Sequence, residues 1–444
     1  MNIYNRADII DKNFSKRIKS NKFLNSLNDS YGSANNVNEE TLISIFESQV
    51  LSRHMDLKAR ELKEKGECFY TIGSSGHEGN AVLGHVFPFT DIAFLHYRSA
   101  AFFIERSHQV SGSTPLYDMA LSFMASSEDP ISGGRHKVIG SKTLNIPPQT
   151  STIASHIPKA VGTAFSIDRS RDLNLQSREL KSNGLVLCSF GDASINHATA
   201  LSGFNTAKWV KSIGGSVPII FICEDNGYGI SVPTPKDWVK NIFSKQYNMK
   251  YIDCDGLNII DIINKSNIAQ EYCRINRSPV FFHMKTVRLM GHAGSDIESS
   301  YLPISKIESV EKNDPLLHTS RILLENKYLS SDEILNSYEN SRLRVSHVFE
   351  HATTKPRLLE ATKVMESIVP QVAEQVIPPI PNNKSRESLF GKEFNRIDQP
   401  SHMAKLINFA LKDIMLRYKN ALIFGEDVAK KGGVYHITAG IGQF

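Results

Sequence analysis

The sequence predicts an α/β protein in which a mostly parallel sheet is covered by helices on both faces. Three apolar runs have the length of buried strands, at residues 185–190, 217–223 and 279–286. Segments with helical periodicity separate them, and this alternation of strands and helices is the order that builds a parallel sheet. Strands that are apolar along their whole length are typical of sheets buried on both faces.

The N-terminal region divides into a polar arm and a long helix. Residues 1–37 are rich in Asn and Lys, and we expect a mobile or loosely packed arm there. Asn38 is suited to cap a helix, because its side chain can accept from the first free backbone amides and two glutamates follow it. Gly66 and the lysines before it predict where this helix ends.

Helical periodicity returns at 197–211 and 257–275, each time between two predicted strands. The composition then changes, because six of the 18 prolines lie between residues 356 and 400. Within that stretch IPPIPNNKSRES (377–388) is typical of an extended linker.

After the linker, residues 403–420 predict an amphipathic helix and ALIFGED (421–427) an apolar strand. Fewer than about 50 residues are too few for an independent α/β domain, so we expect an incomplete one. The predicted parts are an arm at 1–37, an α/β domain at 38–355, a Pro-rich linker at 356–400 and the start of a second α/β domain at 401–444.

Composition excludes several classes of protein. No apolar stretch approaches the roughly 18 residues of a membrane helix, and the N-terminus resembles neither a secretory signal nor a transit peptide. The net charge of +5 is spread along the chain without a basic patch, so we expect neither a membrane nor a nucleic acid as partner. The five cysteines are odd in number and form no C-x-x-C pair, which predicts buried free thiols and a cytoplasmic protein.

Polar side chains follow two of the predicted strands. Gly191 and Asp192 come directly after strand 185–190, and Asp225 and Asn226 follow strand 217–223. Adjacent parallel strands joined by one crossover bring such residues to the same edge of the sheet, where these folds bind ligands. Carboxylate and amide oxygens suit Mg²⁺, which completes its shell with phosphate and water. Alternatively, both segments are only strand-ending turns.

These segments resemble a known motif. GDASINHATALSGFN (191–205) and ICEDNGYGIS (222–231) are similar to the thiamine-diphosphate motif in the α subunits of 2-oxo acid dehydrogenase E1 components. The resemblance implies the thiamine-diphosphate-binding fold, with the cofactor's diphosphate bridged by Mg²⁺. It implies metal ligands at Asp192, Asn226 and the carbonyl of Tyr228, and cofactor contacts at Asp192, Ala193, Ser194 and Asn226. Ala193 and Asp225 depart from the family's Gly and Asn, and Ala193 could narrow the approach of the backbone to the phosphate.

Other segments follow in the family's order. FYTIGSSGHEGNAVLG (69–84) resembles the segment that shapes the substrate side of the site, and FLHYRSAAFFIER (94–106) resembles the Tyr-Arg pair that holds the diphosphate. Tyr97 supplies a hydroxyl there and Arg98 a planar fork of donors suited to phosphate. The alternative for Arg98 is an ion pair with Glu105 or Asp91 on a surface helix.

Two further segments supply candidate ligands. QTSTIASHIPKAVGTAFS (149–166) resembles the stretch around the aminopyrimidine, with Ser151 and Ile153 at the contacting positions. His136, in SGGRHKVIGS (132–141), is compatible with a catalytic role on the substrate side, although a loop histidine is often only solvated.

KTVRLMGHAGSD (285–296) resembles a loop that lines the active-site channel. The resemblance gives His292 contact with the diphosphate and a catalytic role, which suits an imidazole near its titration range. Ser295 matches a regulatory phosphorylation site of some members, but a plain loop serine is favoured.

The segment after the linker resembles the opening of the E1 β subunit, including GEDV and GGV. The resemblance implies that Glu426 is catalytic, through a hydrogen bond to the cofactor's aminopyrimidine nitrogen. The α-like part covers about 40–350 and the β-like part 400–444, an order that indicates a fused α/β E1 chain.

We therefore expect a decarboxylating 2-oxo acid dehydrogenase E1 with thiamine diphosphate and Mg²⁺. Its expected partners are a lipoylated E2 acyltransferase and further copies of the chain in a homo-oligomer. Branched-chain 2-oxo acids are the first choice of substrate and pyruvate the second. Two other classes of protein remain as alternatives to this enzyme. One is a catalytically silent cofactor-binding module. The other is a nucleotide-binding oxidoreductase, and the lack of a G-x-G-x-x-G motif disfavours this second alternative.

Overall fold

The computed structural model describes residues 5–20, 37–69, 72–175, 180–369, 377–428 and 430–442. The chain divides into two compact units. The first comprises residues 1–168 and 177–366, and the second comprises 169–176 and 367–444.

The first unit is built on a parallel sheet. Five strands lie in the order β1-β2-β3-β7-β6, and each neighbouring pair is parallel. A two-stranded antiparallel hairpin, β4-β5, lies outside this sheet. The strands are β1 (Ile92–Phe94), β2 (Val186–Gly191), β3 (Ile219–Asp225), β4 (Tyr228–Gly229), β5 (Val232–Pro233), β6 (Lys250–Asp255) and β7 (Val280–Lys285). The predicted parallel sheet is confirmed, with the three predicted strands at its centre.

Helices surround this sheet. Those of the first unit, with α6 extending four residues beyond it, are α1 (Arg6–Ser20), α2 (Glu39–Glu64), α3 (Ala81–Val86), α4 (Ala100–Ser107), α5 (Pro115–Phe123), α6 (His156–Asp172), α7 (Ala198–Ser212), α8 (Trp238–Phe243), α9 (Ile259–Asn276), α10 (Ile304–Glu311), α11 (Pro315–Glu325), α12 (Ser331–Thr353) and α13 (Ala361–Met365). The helices predicted at 197–211 and 257–275 correspond to α7 and α9.

Alternating side chains of the central strands enter two apolar cores, one on each face of the sheet. On β2, Val186 and Phe190 join a cluster with residues of α6, α7 and α8. Leu187 points the other way, into a larger cluster with residues of α2, α4 and α9. This arrangement explains why the strands are apolar throughout. All five cysteines are buried free thiols, as predicted.

The N-terminal arm is more ordered than the sequence predicts. Residues 6–20 form α1, and its side chains Ile10, Phe14 and Ile18 are buried. Asp11 on the same helix accepts hydrogen bonds from Arg342 and from the hydroxyl of Tyr338. The expectation of a loosely packed arm is therefore wrong for this stretch, because its apolar residues recur at helical spacing and have a core to enter.

The long helix α2 begins and ends as predicted. The side chain of Asn38 accepts from the backbone amide of Glu40 at 2.8 Å. Gly66 follows the end of the helix with φ +75°, a conformation that glycine adopts at little cost.

The second unit contains α14 (Asn383–Phe390) and α15 (Met403–Arg417). The helix predicted at 403–420 is confirmed, but the extended linker at 377–388 is wrong in its second half, where Asn382 caps α14. Residues 421–427 are not a strand, since the described part of this unit offers no partner strand for their backbone groups. Among the described residues, no helix is long and apolar enough to cross a bilayer.

Candidate functional site

The carboxyl ends of β2 and β3 bring two acidic residues together. Gly191 is in register with Glu224, so Asp192 and Asp225 are the next residues on the paired strands. Asp192 is only 1% exposed, and its Oδ2 accepts a hydrogen bond of 2.8 Å from the hydroxyl of Thr234. The predicted meeting of polar side chains at this edge is therefore observed.

The pKa values of Asp192 and Asp225 are shifted in opposite directions. Burial, and after it the negative charge of Asp225, raise the pKa of Asp192 to about 7. Burial also acts to raise the pKa of Asp225, but the hydrogen bond from His283 and its charge bring that pKa below its ordinary value. A cation against Asp192 would favour its ionised form, so the pair suits a hard cation.

Asn226 lies beside this pair and is held from both ends of its amide. Its Oδ1 accepts from the backbone amide of Tyr228 at 3.1 Å, and its Nδ2 lies 3.0 Å from Nε2 of His77. Asp192, Asn226 and Tyr228 thus belong to one local structure, which is completed by the hairpin β4-β5. Their oxygens are of the type that Mg²⁺ prefers.

Ala193 fits this structure because of a glycine opposite to it. A Cβ built on Gly229 would lie 2.9 Å from the Cβ of Ala193. Ala193 itself is exposed within the 3₁₀ turn Asp192–Asn196, which also contains the half-buried Ser194. The departure at 193 is accommodated locally by the absence of a side chain at 229.

Arg98 is buried and lies against the loop that carries His292. Arg98 is 3% exposed, and its Nη2 donates to Nδ1 of His292 at 3.2 Å and to its carbonyl at 3.3 Å. The ring of Tyr97 meets that of His292 edge-on at 5.9 Å between centroids. Tyr97 and Arg98 therefore form one cluster with His292, which lies 194 positions after Arg98.

The alternative of a surface ion pair for Arg98 is wrong. Asp91 pairs with Arg274, and Glu105 accepts from Ser48 and His85. Burial, followed by the charge of Arg98, lowers the pKa of His292 to about 4, so its imidazole is neutral near pH 7.

His136 and Ser151 are also brought together. Nε2 of His136 makes a hydrogen bond with the hydroxyl of Ser151, and both residues are exposed. Ile153, 45% exposed, lies on the same segment as Ser151. An exposed aliphatic side chain beside two polar groups is available to contact a ligand.

Residues 47–360 match a family model described as the dehydrogenase E1 component. The chain belongs to the dehydrogenase E1 component family. It is therefore an oxidoreductase of the 2-oxo acid dehydrogenase type, and this family implies thiamine diphosphate, a 2-oxo acid substrate and a complex with an E2 component.

Curated relatives of this E1 chain come from animals, bacteria and a slime mould. It is 26% identical over 323 residues to the mitochondrial 2-oxoisovalerate dehydrogenase subunit alpha of Mus musculus, covering 71% of this chain and 68% of the relative. It is 28% identical over 304 residues to 2-oxoisovalerate dehydrogenase subunit alpha of Bacillus subtilis, covering 67% and 85%. It is 24% identical over 325 residues to the mitochondrial pyruvate dehydrogenase E1 component subunit alpha of Dictyostelium discoideum, covering 72% and 80%.

The residues of this E1 chain fit a diphosphate bound through a cation. Asp192 is a buried carboxylate with a second acid beside it, an arrangement that a cation would stabilise. Arg98 and the neutral His292 are groups that can donate to phosphate oxygens. One predicted residue is elsewhere: Glu426 lies in the second unit, exposed, and its catalytic role stays a prediction.

Sequence reasoning missed a buried polar cluster of this E1 chain. His77, His96 and Glu224 are all buried, and one ligand-type atom from each lies within 4.8 Å of the others. Both histidines occur in segments that resemble the family, and Glu224 is a charged residue at the end of an otherwise apolar strand. A charged residue in an apolar strand indicates buried polar partners, but the sequence does not show which residues these partners are, because they come from distant parts of the chain.

Proposed function

We propose that this protein is the E1 component of a branched-chain 2-oxo acid dehydrogenase. In this proposal it decarboxylates a substrate such as 3-methyl-2-oxobutanoate and reductively acylates the lipoyl group of E2, whose disulfide is the oxidant that is reduced as the acyl thioester forms. The relatives named 2-oxoisovalerate dehydrogenase support the choice of substrate. The observation that carries the cofactor assignment is the buried Asp192 beside Asp225 and Asn226 at the sheet edge.

The cofactor would be held by two groups of residues. Mg²⁺ would be bound by Asp192, Asn226 and the carbonyl of Tyr228, whose oxygens are the ligand type that this cation prefers. Tyr97, Arg98 and His292 would donate to the diphosphate, with Ala193 and Ser194 in the turn beside it. Arg98 keeps its charge at all relevant pH values, whereas His292 stays neutral and so can donate through Nε2 while Nδ1 accepts from Arg98.

Bound thiamine diphosphate supplies a carbon nucleophile that lets a 2-oxo acid lose carbon dioxide. The protein supplies binding, orientation and proton handling. Ile153 would contact the aminopyrimidine ring and Ser151 would lie beside it, while Glu426 would hold a proton at its ring nitrogen. His136, hydrogen-bonded to Ser151, would orient the substrate.

We further propose a cytoplasmic homo-oligomer that acts without a nucleic acid or membrane partner. The buried free thiols and the dispersed net charge of +5 support a reducing compartment without such partners.

The proposal is tested by cofactor titration and by turnover. Asp192→Ala should abolish the Mg²⁺-dependent binding of thiamine diphosphate in titration calorimetry, because the buried ligand is lost. Unchanged affinity would remove the metal assignment. Decarboxylation measured with an artificial electron acceptor should be faster for 3-methyl-2-oxobutanoate than for pyruvate.

A second candidate is pyruvate dehydrogenase, favoured by the relative from Dictyostelium discoideum. Faster turnover of pyruvate in the same assay would establish it. Metal-dependent cofactor binding without turnover of any 2-oxo acid would instead indicate a silent binding module.

A further inference from the structure

A buried chain of hydrogen bonds lies behind Asn226. Oε2 of Glu224 lies 2.6 Å from Nδ1 of His77, and Nε2 of His77 lies 3.0 Å from Nδ2 of Asn226. Both Glu224 and His77 are 0% exposed. They therefore do not reach the protein surface, and Asn226 is the site residue to which His77 is directly hydrogen-bonded.

The directions of these bonds follow from their chemistry. A carboxylate oxygen accepts, so the shared proton lies on Nδ1 of His77. Nε2 of His77 then has no proton and accepts from the amide NH₂ of Asn226. The Oδ1 of Asn226 consequently faces the other way, toward the backbone amide of Tyr228, and keeps a lone pair for a cation.

The turn that carries His77 is fixed by a second buried network. Glu78 accepts from Nε of Arg53 at 2.6 Å and from the backbone amide of Gly76 at 2.6 Å. On the other side, the Nδ2 of Asn80 donates to Oε2 of Glu224 at 3.3 Å. His77 thus has little freedom to change its ring orientation.

Part of this arrangement is costly for folding. Within the described part of the chain, the buried Oε1 of Glu224 has no hydrogen-bond partner. A metal bound by His77, His96 and Glu224 does not explain the cluster, because both ring nitrogens of His77 already take part in hydrogen bonds. The pairing of Glu224 with His77 is instead explained if the two residues orient the side-chain amide of Asn226.

We propose that His77 and Glu224 are positioning residues for the cofactor's cation, which they serve by selecting the amide orientation that turns Oδ1 of Asn226 toward the metal. This inference rests on the proposed function, in which Asn226 is a cation ligand. It assigns to the two buried residues an effect on metal affinity that a packing role would not have.

The test uses Mn²⁺ as a probe, because its free and bound forms differ in electron paramagnetic resonance. Mn²⁺ is titrated into the full chain in the presence of thiamine diphosphate. His77→Leu removes both hydrogen bonds and should weaken Mn²⁺ binding on the order of 10- to 100-fold, as the loss of an outer ligand partner does. His77→Gln should recover most of that loss, since its amide oxygen can accept from Asn226.

A matched control is His54→Leu. His54 is 2% exposed, and its ring packs on Tyr338 at 4.3 Å between centroids, a contact that involves none of Glu224, His77 and Asn226. This variant should lower the thermal stability without changing the Mn²⁺ affinity. A loss of affinity as large as that of His77→Leu would mean that general loosening is the cause, and would overturn the inference.

Asn226→Ala separates this inference from the proposed function. If both single variants weaken Mn²⁺ binding and the double variant loses no more, the effects share one path and the inference is supported. If Asn226→Ala weakens binding and His77→Leu does not, the inference is wrong and the metal assignment stands. If Asn226→Ala has no effect, the metal assignment is wrong and the inference falls with it.

A second measurement needs no bound cofactor. Nitrogen-15 spectra of labelled histidines in the full chain should show His77 protonated on Nδ1 and not on Nε2, with the resonance assigned from the His77→Gln variant. The opposite tautomer would make Nε2 a donor toward Asn226 and would overturn the inference.

Discussion

Asp225 determines the charge next to the proposed cation ligand Asp192. Asp225→Asn removes a neighbouring negative charge and should lower the pKa of Asp192 below its value of about 7. Because protons compete with the cation for Asp192, metal-dependent cofactor binding should weaken as the pH falls through about 7. The variant should move this midpoint to lower pH in calorimetric titrations.

The exposed Asp172 provides the control for that experiment, since Asp172→Asn removes the same charge at a residue that pairs with Arg171 and is not assigned to the site. Its midpoint should match that of the unaltered protein. An equal shift in both variants would point to net charge and not to the Asp192–Asp225 pair.

The protonation of His292 is a second property of a single residue. Burial and then the charge of Arg98 hold its pKa at about 4, below its ordinary 6.5. Arg98→Met should raise that pKa, but burial should keep it below 6.5, and proton NMR titration measures the change. As the pH falls, the unfolded chain binds a proton at this histidine before the folded chain does, because its pKa is higher in the unfolded chain. The contribution of neutral His292 to the free energy of unfolding is therefore complete above pH 6.5 and is lost as the pH falls toward 4.

The sequence predicts some of these residues and not others for a physical reason. Asp192 and Asn226 directly follow strands whose pairing could be inferred, so their meeting follows from the topology. His77 and Glu224 are 147 positions apart, and their contact depends on how a turn packs against the sheet edge. No local pattern encodes such packing.

At the scale of elements, the turn after β2 and the hairpin β4-β5 fit together through Ala193 and Gly229. Gly229→Ala would place two methyl carbons about 2.9 Å apart, and such overpacking typically costs about 1–3 kcal/mol. We expect a lower melting temperature and weaker metal-dependent cofactor binding. The double variant Ala193→Gly, Gly229→Ala should recover both, and failure to recover would show that the contact is not the cause.

Helix α1 supports the loop that carries His292. Ile10 is 2% exposed and packs with Leu289 and Met290, while Arg6 donates to the carbonyl of Leu289 at 2.9 Å. Ile10→Ala should cost about 2–5 kcal/mol of this packing and speed hydrogen exchange in residues 288–296. The exposed Ile213→Ala is the control, and equal exchange in both variants would contradict the role of α1.

The sequence predicts those strands whose residues form a continuous apolar run. Strands β2, β3 and β7 are continuous apolar runs. In β6 (Lys250–Asp255), by contrast, apolar and charged residues alternate and one end is exposed, so an apolar run does not predict it. Residues 421–427 have the apolar composition of a strand, yet composition alone cannot supply the neighbouring strand that completes its hydrogen bonds.

At the scale of the whole molecule, the residues assigned to the proposed function are divided between the two units. The first contains the groups assigned to the metal and diphosphate, and the second contains Glu426. Glu426→Gln should therefore leave metal-dependent cofactor binding nearly unchanged while slowing decarboxylation by about 10²- to 10⁴-fold, the usual effect of losing a proton-transfer group.

Calorimetry and exchange of the cofactor's reactive carbon-bound proton for deuterium measure these two properties separately. The neighbouring Asp427→Asn is the control, since it changes an exposed acid in the same turn. A Glu426→Gln variant with normal exchange would show that Glu426 has no catalytic role.

The contact between Ala193 and Gly229 also restricts how this sequence can change over time. In a chain with alanine at both positions the two methyl groups would overlap, whereas in a chain with glycine at both positions there are no methyl groups to overlap. Substitutions at the two positions are therefore epistatic, and their order matters. Any lineage that exchanges the two residues is expected to pass through the double glycine, so reconstructed ancestors and laboratory selections should both avoid the double alanine.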